Sequence, residues 1–377
     1  MTFISMDSGI KLSDYLIDLD NYTLGEKLGK GGCGTVFKAI DKTTKQEVAI
    51  KFIHKTDKMN DKKEQMNLLR EITVPCRLDL PGIVHLIGFR FPLSNSEKPA
   101  RGPTKVGADE PDLDGAVIVT ELMKNTSLNN IIKDYLDGKP TPKFGPTERS
   151  KIIFGIAQTM ALVHAKDIIH RDLKLENVFL DDNYEPRIAD FGLAKTLITG
   201  IEMTMTIGTP LYMAPELFMD GDETYDGKVD VYAFGILLYK MFENKLQLDD
   251  KKPIRSPQQL MMRIGKGCRP IKTPAIPDHY WEIITKCWDK DPEARPTFQA
   301  IVNILKQDKY ALEEKGVKTD MAAFNEYKER VSKTDLPDDA LGKSFSRTFG
   351  KSMMLKSMYK PREDDKPRKT KFIWRRH

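Results

Sequence analysis

Cysteine is scarce. The 377 residues hold four, Cys33, Cys76, Cys268 and Cys287, scattered with no metal-ligand pairing. A reduced compartment, cytoplasmic or nuclear, fits that usage best. Long apolar runs are missing too. The best candidate, "VDVYAFGILLYKMF", carries Asp230 inside it and Lys240 near its end, so no membrane span is expected. The first residues, "MTFISMDSGIKLSD", lack a basic start followed by a sustained apolar core, and a secretory leader is not expected. No internal repeat is visible. Nor is there a basic surface along the main body. From Leu341 onward twelve Lys or Arg stand against three Asp or Glu, +9, which leaves −4 of the net +5 for the rest. Nucleic acid is therefore not an expected partner of the body. What remains, at 40% hydrophobic and 31% charged, is the composition of a soluble globular protein long enough for two lobes or domains.

The strand and helix signals divide the chain. Residues 1–21 read as a lead-in. From Tyr22, "YTLGEKLG", "GTVFKAID" and "EVAIKFI" are short, β-branched and aromatic, with turn-like "DKTTKQ" before the last; they predict an antiparallel meander. A charged helix is predicted over about Lys58 to Leu78, then strands in "IVHLIGFRF" and "GAVIVTEL". Residues 92–114 between them are rich in Pro, Gly, Ser and charge, as an exposed insertion would be. After Met123 helical spacing takes over and recurs through about Lys306.

Several short stretches carry chemistry. "LGKGGCGTV" places Gly29, Gly31 and Gly34 between two strands, where backbone N–H groups approach phosphate oxygens with no Cβ in the way. A strand follows rather than a helix, which favours a hairpin lid over a Rossmann turn. Lys51 closes "VAIK" on a strand and can reach the same phosphates as a point charge. The following helix offers it Glu64 and Glu71; Glu71, in apolar-flanked "LLREI", is preferred. In "IIHRDLKLENVFL" apolar residues enclose Arg171, Asp172, Lys174, Glu176 and Asn177. Charges so enclosed are paired or held for a task. Asp172 suits a base for an attacking hydroxyl, Lys174 a counter-charge for a phosphoryl group, and Asn177 an oxygen for Mg²⁺. Thirteen residues after Asn177, Asp190 offers a carboxylate for the same metal.

"LGKGGCGTV", "VAIK", "HRDLKLEN", "DFG" and "APE" occur in the order and spacing of the eukaryotic protein kinase catalytic domain, which residues 22–308 resemble. The resemblance implies an α+β, two-lobed fold. Its small lobe, 22–123, is an antiparallel sheet with one main helix; its larger lobe, 124–308, is mainly helical. It implies ATP and Mg²⁺, with protein Ser/Thr hydroxyls as substrates. The nucleotide would lie against Leu28, Gly29, Lys30, Gly31, Gly32, Cys33, Gly34, Thr35 and Val36, with Ala49, Lys51, Thr120 at the back of the adenine pocket, and a hinge from Glu121 to Met123. Lys51, Asp172 and Lys174 would act in catalysis, Lys51 paired with Glu71, and Asn177 and Asp190 would hold Mg²⁺. His170, Arg171, Thr209, Asp230 and the pair Glu216–Arg295 would support them. "CWDKDPEARPTF" resembles the tyrosine-kinase-like group of Ser/Thr kinases, and Lys174 with Thr209 suits Ser/Thr specificity. The alternative is a pseudokinase, a binding or scaffold module on the same fold. Loss of a catalytic group would favour it, and Lys51, Asp172, Asn177 and Asp190 are all present.

Two features depart from the family pattern, the insertion and Pro75. Four residues past Glu71, Pro75 predicts a helix that kinks or ends there. Between Asp190 and Glu216, Thr204 and Thr206 are candidate phosphosites, because a half-buried Arg171 calls for an anion. The tail from 309 is expected to be basic and partly disordered. Within it Phe345, Phe349 and Met353 recur every four residues, the spacing of a basic amphipathic helix for an acidic partner or an anionic membrane surface.

Overall fold

The computed structural model describes residues 11–30, 34–53, 62–78, 80–91, 111, 113, 115–141, 143–192, 195–196, 210–219, 225–243 and 245–333. The small lobe is a five-stranded sheet with one long helix. Strands β1 (Tyr22–Lys30), β2 (Gly34–Asp41) and β3 (Glu47–Ile53) precede helix α1 (Lys62–Leu78), and β4 (Leu86–Arg90) and β5 (Val117–Glu121) follow it. Neighbours run antiparallel in the order β1-β2-β3-β5-β4. Asp41 makes the β2–β3 turn, its Oδ1 accepting the N–H groups of Thr43 and Thr44 at 2.7 and 2.9 Å.

Alternation along the strands decides the two faces. Phe37, Ala39, Val48, Ile50, Phe52, Val117 and Val119 form one apolar cluster. The opposite face presents Val36, Ala49, Lys51, Ile118 and Thr120, with Val36 opposite Lys51 and Ala49 opposite Thr120. Ile118 is covered by Ile72 and Cys76 of α1. The rest of that face stays half-buried and forms the roof of the candidate site.

Pro75 does not end the helix. α1 continues to Leu78 with Pro75 inside it, because Ile72, Val74, Cys76 and Leu78 around the proline are all buried. Packing holds what the lost backbone hydrogen bond does not.

The large lobe comprises α2 (Leu128–Leu136), α3 (Pro146–Ala165), β6 (Ile168–Ile169), β7 (Val178–Leu180), β8 (Pro186–Ile188), β9 (Lys195–Thr196), α4 (Glu216–Met219), α5 (Lys228–Phe242), α6 (Pro257–Gly265), α7 (Asp278–Cys287) and α8 (Phe298–Leu305). α3 opens on Pro146 at a position that needs no N–H, and Glu148 accepts the Gly145 N–H at 3.1 Å. α3 is buried nearly all round, and so is α5, which accounts for the apolar run noted above: it is a core helix of 15 residues. Among the described residues no helix is long and apolar enough to cross a membrane.

Folded structure continues past the expected start of the tail. The hairpin β10 (Glu313–Glu314) and β11 (Val317–Lys318) leads into α9 (Met321–Ser332), whose Phe324 and Tyr327 are buried. Tyr327 needs Gly155 on α3: a Cβ there would stand 2.1 Å from its hydroxyl. The tail boundary at 309 is therefore corrected to beyond Lys333. Two aromatics three residues apart in a charged stretch are too faint a pattern to announce a packed helix. At the front, the lead-in is part of the lobe from Leu12 onward. The insertion lies mostly outside the described residues; where it ends, Arg90 donates to the carbonyls of Leu113 and Gly115 at 2.5 and 3.1 Å. Residues 334–377, with Phe345, Phe349 and Met353, lie outside them too.

Candidate active site

Lys51 leaves the open face of β3 and meets Glu71 of α1 in an ion pair. Burial pushes the Glu71 carboxyl above its ordinary value; Lys51 opposes this and the nearby Asp190 adds to it. Gly192 lies at the same spot. A Cβ there would approach Asp190 Oδ1 tightly, at 3.3 Å, and meet Glu71 Oε2 in ordinary contact at 3.5 Å. Small-lobe and large-lobe charges thus meet across this point.

Below it, the loop after β6 is held from α5. Asp230, fully buried, accepts the backbone N–H groups of His170 and Arg171, each at 2.8 Å, and is bonded to His164 Nε2 at 2.8 Å. Desolvation alone would raise the Asp230 carboxyl; the bond and charge from His164 and the His170 backbone N–H hold it below the ordinary aspartate range. This clamp sustains the left-handed backbone of Arg171, φ 68°. His170 Nδ1 accepts the Asp172 N–H at 3.2 Å while Nε2 lies 3.1 Å from the Ala189 carbonyl, which together assign the proton to Nε2. The Asp172 carboxylate then receives Lys174 Nζ at 2.5 Å and Asn177 Nδ2 at 2.9 Å on the same oxygen, and Asn177 Nδ2 also donates to the Asp172 carbonyl at 2.8 Å. A base and a counter-charge are pre-placed together.

The pairing of β7 with β8 carries Asn177 to the start of the Asp190 turn, where the Ala189 N–H donates to the Asn177 carbonyl at 2.8 Å. Desolvation would raise the Asp190 carboxyl, but Lys51, the Gly192 N–H and Lys174 keep it lowered and ionised. Asn177 uses its amide nitrogen on Asp172, which leaves its amide oxygen as the ligand atom. A carboxylate and an amide oxygen suit a hard divalent cation such as Mg²⁺. Among the described residues no cluster of three or more His, Cys, Asp or Glu could hold a metal by itself.

Residues 22–305 match the protein kinase domain family. The chain belongs to the protein kinase family. A probable Ser/Thr protein kinase of Dictyostelium discoideum is 33% identical over 295 residues, 78% of this chain and 29% of that protein. The dual specificity protein kinase splA of the same organism is 30% identical over 321 residues, covering 81% and 12%. The probable Ser/Thr protein kinase kinY is 30% identical over 361 residues, covering 93% and 57%. The chain thus spans well under two thirds of the length of these relatives.

The other kinase positions follow. Thr120 and Met123 are half-buried along the roof with Val36 and Ala49, while Leu28 is exposed at the edge. Glu121 uses its carboxylate to accept the His85 N–H at 2.7 Å, joining β5 to the residue before β4. Gly34 admits no side chain, since a Cβ would stand 2.5 Å from the Phe52 carbonyl oxygen. Above Gly29 there is open space, and Thr35 is buried beside Lys30. Glu216 and the fully buried Arg295 form a bidentate pair at 2.5 and 3.0 Å, with Arg295 stacked 5.2 Å over Tyr232. Gly31, Gly32, Cys33, Thr204, Thr206 and Thr209 lie outside the described residues. The expectation that Arg171 awaits a partner is corrected: its guanidinium lies 5.3 Å over the Tyr225 ring and has further contacts. His164 was missed because nothing in an apolar helix end ties it to an aspartate 66 residues later.

Proposed function

We propose that this chain transfers the γ-phosphoryl group of ATP to Ser or Thr hydroxyls of proteins. The observation that carries the reading is Asp172 with both Lys174 and Asn177 on its carboxylate, beside an intact Lys51–Glu71 pair and an ionised Asp190. In this reading Asp172 accepts the proton of the substrate hydroxyl as its oxygen attacks phosphorus. Lys174, freed to follow the transferring group, balances its charge; Lys51 steadies the phosphates, and Glu71 aims Lys51. Asn177 and Asp190 would hold Mg²⁺, whose charge offsets that of the phosphate oxygens. Ser/Thr preference is supported by Lys174 and by two of the three relatives above; the third is a dual specificity kinase. The three free described cysteines support a reduced cytoplasmic or nuclear setting.

Control by phosphate between Asp190 and Glu216 belongs to the same proposal. Arg70 of α1 is held below the ordinary arginine range by burial and then by the charge of Arg171. An added phosphate would relieve that repulsion and tie α1 to the catalytic loop. The test is an ATP-dependent assay on peptides carrying only Ser, only Thr or only Tyr. Run it with wild type and with Thr204→Ala plus Thr206→Ala, before and after phosphatase. Transfer to Ser and Thr alone, lowered by phosphatase in the wild type only, is expected. Equal transfer to Tyr overturns the specificity, and phosphatase-insensitive activity in both chains overturns the control.

A further inference from the structure

Residues 12–21 precede the stretch that matches the kinase family, which begins at residue 22. They are nonetheless built into the small lobe. Ile17 donates its N–H to the Phe89 carbonyl at 3.0 Å and Leu16 bridges Phe89 in parallel, so this segment lines the outer edge of β4. The approach is close. A Cβ on Gly88 would stand 2.3 Å from Ile17 Cγ2 and 2.7 Å from the Tyr15 carbonyl oxygen, so glycine admits the segment where a side chain would not.

The segment covers a weak point. Pro75 has no N–H to return to the Glu71 carbonyl, and its ring crowds that carbonyl. The turn beyond it must be held by side chains. Leu12 and Tyr15 pack against the cluster that contains Ile72 and Cys76, one on either side of Pro75. Tyr15, Pro75 and Cys76 also line one small cavity of about 20 Å³. The residue that aims Lys51 therefore sits one helical turn ahead of a backbone defect, and the lead-in lies against that defect.

We propose that residues 12–17 are a splint on α1. Leu12 and Tyr15 keep the turn after Pro75 in line, and through it they set Glu71 to meet Lys51. They are positioning residues and touch neither nucleotide nor substrate. The consequence for catalysis rests on the phosphoryl-transfer reading; the splint itself does not.

A double-mutant cycle in the full chain tests this, with Tyr15→Ala, Pro75→Ala and both together. Amide hydrogen exchange at Cys76, Arg77 and Leu78 reads α1 without any need for activity. Tyr15→Ala should speed that exchange about tenfold with Pro75 present, and less than about threefold with Pro75→Ala, where the restored N–H bonds the Glu71 carbonyl. The loss of kcat/KM for ATP should show the same dependence on residue 75. Equal effects in the two backgrounds overturn the splint. Should Tyr15→Ala fail to fold, Leu12→Val in the same cycle decides: a smaller acceleration that vanishes with Pro75→Ala supports the splint, and one that persists overturns it. Coupling in exchange with no transfer by any chain, wild type included, leaves the splint standing and overturns the reaction instead.

Discussion

Asp230 and Glu71 both serve the candidate reaction without touching a substrate, and they are held in different ways. Asp230 lies fully buried on a core helix and gathers three hydrogen bonds from two segments of its own lobe. Glu71 is half-buried, meets Lys51 across from another element, and rides on a helix with a proline four residues on. Burial raises both carboxyls, yet their net shifts are opposite: Asp230 stays lowered because its bonds outweigh burial, and Glu71 is raised because Lys51 does not fully offset burial. The large lobe thus fixes its catalytic loop as part of the core. The small lobe keeps its lysine in place through a contact whose alignment depends on neighbouring packing.

The comparison can be broken most strongly at its fixed end. Asp230→Ala strips the acceptor from two backbone N–H groups and from His164, and should cost about 3–5 kcal/mol of stability, seen as an early denaturant midpoint. Lys51→Met should do the reverse. Its half-buried pair is worth about 1 kcal/mol or less to stability. Phosphoryl transfer should nonetheless fall by on the order of 100-fold, because a charge aimed at the phosphates is gone. A large loss of stability with Lys51→Met would show the small lobe to be as rigidly built as the large one.

A finer contrast lies in pH. Asp230, lowered when folded, gives stability that is present above the ordinary aspartate value of 3.8 and lost as pH falls through its folded value. Glu71, raised when folded, works the other way: its contribution is present below the ordinary glutamate value of 4.5 and is lost as pH rises toward its folded value. Glu71→Gln should therefore remove a decline in stability above pH 4.5 and leave the acid limb unchanged, as read from urea unfolding taken across that window. The same slope in wild type and Glu71→Gln would contradict the raised carboxyl.

The strands, the helix carrying Glu71 and the catalytic loop were legible because each announces itself locally, by alternation or by charges enclosed in apolar residues. Lys51, Glu71, Asp172, Lys174, Asn177 and Asp190 could be named before any contact was seen. Long-range relations were not legible. Nothing near His164 points to Asp230, and Tyr225 under Arg171 lies outside every motif. Of the kink or end that Pro75 predicts, the end does not occur, since burial of Ile72 and Cys76 carries the helix on to Leu78. α9 went unseen because it buries only Phe324, Tyr327 and Lys328 among exposed or half-buried residues.

The central claim is that Asp172 acts as the base of a phosphoryl transfer. The most direct measurement is single-turnover transfer from ATP to a Ser/Thr peptide by wild type and by Asp172→Asn, with ATP binding measured on both. Asp172→Asn keeps a group that Lys174 and Asn177 can contact but removes the basic carboxylate. Transfer should fall between about 100- and 10,000-fold while ATP affinity stays within about threefold of wild type. Equal transfer by the two chains would contradict the account.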